Sequence, residues 1–249
     1  MKCSIETTLA SVLDWLWHTD PLDEGIVHTR ARALLLDTVG CAIAGLSKPE
    51  PAALAARLGS SDSGDVVLPG MAAGVSTGSA AYLIALGACW DEACEGLARA
   101  HGRPGLHAVP VALALGLFAS VPYADVLRAM IRGYEVAGRL GERLRIPPGM
   151  HVDGTWGTFG ATTAAASMLN LSSEQALIAL RAAACQVPWS MYLPVAEGAT
   201  ARNLYVAEAV ARGLRITQSV AAGVTAPSGA LDAFDAKVLG GVGAEGILA

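Results

Sequence analysis

Charge is scarce in this chain. Asp, Glu, Lys and Arg make up 16% of its 249 residues, against about 25% in an ordinary soluble domain. Hydrophobic residues reach 53%, which excludes a disordered chain and requires much of the sequence to be buried in a core or an interface. Bilayer-length apolar runs are also missing. Crossing a membrane takes ~20 residues, whereas Ala80 to Trp90 is too short and Val109 to Ala124 is broken by Pro110 and Pro122. No membrane contact is expected. The start, Met1-Lys2-Cys3-Ser4-Ile5-Glu6, puts an acid before any apolar core, so it does not read as a signal peptide, and the cytoplasm is the expected compartment.

A basic cluster is absent and the formal net charge is -5, which argues against a nucleic-acid partner and for a small-molecule ligand. The five cysteines, Cys3, Cys41, Cys89, Cys94 and Cys185, are odd in number and form no C-x-x-C pair. They read as reduced core residues. No His or Cys pair has metal-ligand spacing, and neither a G-x-G-x-x-G run nor a P-loop lysine occurs, so no metal and no cofactor are expected.

What the chain does have is apolar residues at helical spacing, as in Leu9, Val12, Leu13 and Leu16. The periodicity predicts an all-α, mostly helical fold in one domain over 1–249, with helices near 6–18, 24–45, 50–58, 76–94, 105–119, 123–143, 154–169, 173–185 and 203–216. Ser172 stands three residues before Gln175, a capping-box spacing that marks a helix start. Lys48-Pro49-Glu50-Pro51 breaks one helix and begins the next. Asp65 to Pro69 suits a short strand or an extended loop. Gly154, Gly157, Ala161, Ala164 and Ala165 read as a stripe for tight helix packing.

Groups able to move protons or hold anions gather in three places. Asp91, Glu92 and Glu95 follow the Ala-rich apolar helix, where carboxylates leaving a core can have raised pKa values; a solvated helix end is the alternative. The loop His101-Gly102-Arg103-Pro104-Gly105-Leu106-His107 then holds two of the five histidines. His151 precedes a helix whose first turn, with Trp156, offers N–H groups to an anion. Arg202, ahead of Tyr205, carries a guanidinium able to grip a carboxylate bidentately. Surface histidines and a surface arginine are the competing readings.

Taken in order, several segments resemble the MmgE/PrpD family, which includes 2-methylcitrate dehydratase and cis-aconitate decarboxylase. Leu34-Leu35-Leu36-Asp37-Thr38-Val39-Gly40 is similar to the family's LLDTLG helix, and Gly133-Tyr134-Glu135-Val136-Ala137-Gly138-Arg139-Leu140-Gly141 to its GYEV..RLG helix. His151, Gly154, Thr155 and Gly157 fit its G.H.TGT.G pattern, with Asp153 where a threonine is usual.

The resemblance implies a dimerising helical domain that works without a cofactor. Its chemistry would abstract a proton beside a carboxylate and then lose water or carbon dioxide. His151 and an acid such as Asp91 or Glu92 would move protons, and Arg202, in the place of a substrate-binding lysine, would hold the substrate. The family's α+β lid domain would lie beyond Ala249, so the site is expected to be uncovered.

The departures alter the pocket. Only Asp91 or Glu92 can replace the family's key aspartate. Arg103-Pro104-Gly105 stands for HPG, with His101 and His107 two residues to either side, and Tyr205 stands for a histidine. Together with Trp156, Trp189, Met191 and Tyr192, these changes suit a larger, less polar, biosynthetic substrate and an isomerase or cyclase as well as a lyase. The alternative expectation is a non-catalytic binding subunit that pairs with a separately encoded lid.

Overall fold

Apolar stripes at the helical period coil into eleven α-helices among the residues that the computed structural model describes, 4–144 and 146–239. Cys3 lies outside them, as do 145 and 240–249. The helices are α1 (Ile5–His18), α2 (Gly25–Leu46), α3 (Pro49–Ser61), α4 (Thr77–Trp90), α5 (Gly105–Ala119), α6 (Tyr123–Arg143), α7 (Gly157–Met168), α8 (Ser173–Ala184), α9 (Leu193–Ala196), α10 (Leu204–Ala221) and α11 (Ala230–Phe234). The strands are short. β1 (Ser63–Val66) bridges to Val75, while β2 (Met150–His151) pairs antiparallel with β3 (Ser190–Met191). The mostly helical expectation holds, and the Asp65 to Pro69 segment is a strand only as far as Val66.

Local chemistry sets the ends. Ser172 Oγ accepts the Gln175 N–H at 3.2 Å while Gln175 Oε1 accepts the Ser172 N–H at 3.0 Å, so the capping box forms as its spacing requires. Pro49 starts α3 at a position where its missing N–H costs nothing. Helix α4 stops at Trp90, four residues earlier than its apolar pattern predicts, because Glu92 takes a left-handed φ of +56°. Similarly, α7 begins at Gly157 because Gly154, at φ +86°, turns the chain first. Periodicity registers neither bend. The short helices α9 and α11 also escaped the periodic reading.

Helix α7 occupies the middle of the bundle, buried from Gly157 through Ala166 and packed by α5, α6, α8 and α10. Its small residues do what the stripe predicts: Ala164 lies against Gly133 of α6, and Ala161 against Gly213 of α10. By contrast α6 is sharply two-faced, burying Val126, Met130, Val136 and Leu140 and turning its charges outward. Where α2 crosses α4, the backbones meet at Gly45 and Gly87, and a Cβ on Gly87 would stand 2.5 Å from the Ala42 carbonyl oxygen. Backbone cannot yield as a side chain can. Gly87→Ala is therefore expected to destabilise the protein by about 1–3 kcal/mol despite alanine's better helix propensity, measured as a lower urea midpoint at unchanged slope.

The thiols depart from the sequence expectation. Cys89 is buried, but Cys41 and Cys94 are only partly so and Cys185 is exposed. Cys185 is the C-cap residue of α8 and follows the last buried position of that helix, Ala184.

Candidate active site

Two loops meet beside α4 and α10. One runs from Asp91 to Pro104 and the other from 147 to Trp156. Arg103 stands where they touch, its side chain only 12% exposed. Its Nη1 lies 2.8 Å from Glu92 Oε1, its Nη2 is paired with Asp153 Oδ2, and the thiols of Cys94 and Cys89 approach at 3.5 and 3.8 Å. Asp153 is 2% exposed, so its charge depends on that guanidinium for compensation. Burial works against the charged form of Arg103, but Asp153, the thiols and Glu92 together push its pKa above the usual arginine value.

His107, from the first turn of α5, locks the two loops together. Its ring is buried, with Nδ1 3.1 Å from the Arg103 carbonyl and Nε2 accepting the Gly154 N–H at 3.4 Å. That pair of bonds places the proton on Nδ1. Burial lowers the pKa of His107 against the pull of Asp153, so the ring stays neutral and structural. Gly157 allows this approach, since a Cβ there would overlap the imidazole.

The β2–β3 pairing presents His151 at the surface of a cleft of about 720 Å³, open to solvent and lined also by Glu92, His101, Arg103 and Asp153. His151 Nδ1 accepts the Asp153 N–H at 3.1 Å and lies 3.8 Å from Asp153 Oδ2. A neutral ring so held carries its proton on Nε2, which has no hydrogen-bond partner among the described residues. Burial lowers the His151 pKa, and Arg202 and Arg103 add to this against Asp153 and Glu92. Tyr192 stacks beside the ring at 5.9 Å between centroids and Tyr205 tilts toward it at 6.0 Å. Tyr205 is anchored by its hydroxyl, which donates to the Met191 carbonyl at 3.0 Å.

Arg202 sits in the 3-10 turn Thr200–Asn203 that leads into α10, and its Nη2 pairs with Glu92 Oε1. Burial works to raise the Glu92 pKa, but Arg202 and Arg103 outweigh it and hold the carboxyl below the usual range. Cys89, Glu92 and Asp153 place three potential metal-ligand atoms within 4.8 Å of one another. All three touch Arg103, so the cation they share is its guanidinium.

A model of the MmgE/PrpD N-terminal domain matches residues 14–238. The chain belongs to the MmgE/PrpD family. The match encloses every cleft residue, and no curated protein matches the chain.

Several of the residues expected at the site come together: Glu92, His101, Arg103 and His151 line one opening, with Arg202 paired to Glu92 and Tyr205 beside His151. Others do not. Asp91 caps α4 and turns away, pairing with Lys48 at 3.1 Å. Trp156 is 1% exposed and lies behind the cleft, its indole against Gly102 and Gly141. His107 is the lock described above. Sequence reasoning did not single out Asp153 or Cys89 as site residues. A signal for Asp153 was available, because the arginine at 103 and the aspartate at 153 are departures of opposite charge from two family patterns, HPG and G.H.TGT.G, and they prove to be partners.

A carboxyl with a raised pKa does follow α4, but outside the cleft. Glu95 accepts the Gly105 N–H at 2.7 Å and the Tyr134 hydroxyl at 3.4 Å, within a separate cavity of about 690 Å³ walled by Val27, Leu34, Met130 and Ile131. Burial pushes its pKa from 4.5 up to about 7. A raised carboxyl pKa means that the folded state holds the proton more tightly. This contribution is complete below about pH 4.5 and is lost as pH rises through 7. Glu95→Gln should leave stability unchanged near pH 4.5 and raise it by up to about 3 kcal/mol at pH 8, read from urea midpoints across that range.

Proposed function

We propose that this MmgE/PrpD domain carries the active centre of a cofactor-independent enzyme that moves protons in a small organic acid, as a lyase or as an isomerase or cyclase. The observation that carries this reading is the accessible neutral imidazole of His151 in a cleft that also holds two guanidiniums. A substrate carboxylate would be gripped by Arg202 with Arg103 behind it. Those fixed charges stabilise the negative charge that builds on the carboxylate when the neighbouring carbon loses its proton. To take the substrate's proton, His151 carries its own proton on Nδ1, which then faces Asp153 Oδ2 3.8 Å away; this frees the Nε2 lone pair to accept the proton, and the Asp153 carboxylate stabilises the doubly protonated ring that results. Loss of water or carbon dioxide, return of the proton to another carbon, or ring closure would complete the reaction. Tyr192 and Tyr205 beside His151 favour a substrate with an apolar body, as a biosynthetic intermediate has.

We place the protein in the cytoplasm, with residues 1–249 as one domain that forms a homodimer. No helix among the described residues is long and apolar enough to cross a membrane. Support for the dimer comes from α2, which leaves Ile26 70%, Leu36 74% and Ile43 46% exposed, a surface suited to a second copy.

A second reading, a non-catalytic subunit that pairs with a separate lid, is favoured by the open cleft and by the exposed Met191, Tyr192 and Leu193 at its edge. The two part on one experiment. The purified chain is incubated without added cofactor with a panel of hydroxylated and unsaturated carboxylic acids and followed by proton NMR. Conversion of at least one acid supports the enzyme. If none is converted while a lid protein co-purifies through the tyrosine edge, the subunit reading replaces it.

A further inference from the structure

Glu92 is surrounded by positive charge yet meets it poorly. Arg103 Nη1, at 2.8 Å, and Arg202 Nη2 both make their ion-pair approach to the same oxygen, Oε1, and the Cys89 thiol donates to it as well at 3.5 Å. No described residue hydrogen-bonds Oε2, and Nε of Arg202 is buried without any partner. A guanidinium binds a carboxylate best through two parallel N–H···O bonds, one to each oxygen. Here two guanidiniums crowd one oxygen end-on. The Glu92 backbone is also strained, since φ +56° is a left-handed conformation that a residue with a long side chain rarely adopts. The carboxylate stands at the cleft mouth with 39% of its side chain exposed. It can leave into solvent without crossing the core.

We propose that Glu92 is an internal occupant of the carboxylate seat between Arg103 and Arg202, and that a small organic acid binds by exchange, displacing it. The proposal rests on the reading of this cleft as an anion-binding active centre. Until a ligand arrives, Glu92 keeps the two guanidiniums neutralised while Asp153 holds Arg103 from behind. Exchange conserves charge, because one carboxylate leaves as another enters. The incoming group can present both oxygens and satisfy the Nε of Arg202 that Glu92 leaves bare. The seat therefore selects for an ionised carboxylate: an amide or alcohol of the same shape could not replace the charge it displaces, and would leave Glu92 in place.

The exchange is tested by calorimetric titration of the full chain with succinate, and with succinamide as the neutral control. Glu92→Gln removes the competing charge and should bind succinate about tenfold more tightly than the wild type, whereas Arg202→Gln should lose most binding and succinamide should bind none of the proteins. Glu92→Asp keeps the negative charge and tolerates the left-handed backbone, but is one methylene too short to span both arginines. It too should tighten succinate binding, which a mere change in the local field would not produce. Succinate binding that is no tighter in either Glu92 variant, while Arg202→Gln still weakens it, overturns the exchange and leaves the anion-binding reading standing. Binding unaffected by Arg202→Gln, or absent from all four proteins, overturns both.

Discussion

Replacing Arg103 with glutamine should destabilise the protein by about 3–5 kcal/mol, the range for breaking a buried ion pair by removing one partner. Asp153 is 2% exposed and the Arg103 side chain 12%, so water cannot take over the charge that glutamine fails to meet. Arg103 also joins both loops, since its carbonyl lies against His107 and its guanidinium spans Glu92 and Asp153. Pairing the change with Asp153→Asn removes the orphaned charge and should recover most of the loss, so the double variant should be far more stable than the sum of the singles implies. Urea unfolding of the four proteins measures this. A loss under about 1 kcal/mol for Arg103→Gln, in the range of exposed pairs, would mean that Asp153 is solvated and that the centre of the site is looser than its geometry indicates.

His151→Ala is expected to lower turnover by about 10²–10⁴-fold, the usual contribution of a positioned proton-transfer group, with little effect on folding. The two effects separate because His151 projects from the short β2–β3 pair into the cleft, whereas the bonds between the loops run through His107 and Arg103. Burial and the nearby guanidiniums depress its pKa below the ordinary value of 6.5, so the ring is neutral at pH 7. The histidine limb of the pH–rate profile should accordingly fall below pH 6.5 and should vanish in His151→Ala. Matched circular dichroism and melting curves check that the variant is folded.

Most of the helical scaffold was legible because burial imposes its period on the letters. Leu9, Val12, Leu13 and Leu16 all enter the core as their spacing requires, and the Ser172–Gln175 box is a local motif that needs no tertiary context. The site was legible only in part. His151 and Arg202 lie in segments with family patterns, but periodicity carried α4 through Glu92, hiding the left-handed residue that ends the helix and turns Glu92, not Asp91, toward the arginines. Trp156 seemed a cleft residue because it neighbours His151 in sequence, yet the turn at Gly154 sends it behind the loop. Pairing between residues fifty positions apart, as between Arg103 and Asp153, has no local signature.

Proton exchange tests the account most directly. The wild-type chain and His151→Ala are each held in D2O with the same panel of small carboxylic acids, and deuterium uptake at the carbon beside the carboxylate is followed by NMR. The account predicts uptake into at least one acid with the wild type, and loss of that uptake by about 10² or more in the variant. Equal uptake in the two proteins would contradict a proton-transfer role for His151, and with it the reading of this cleft.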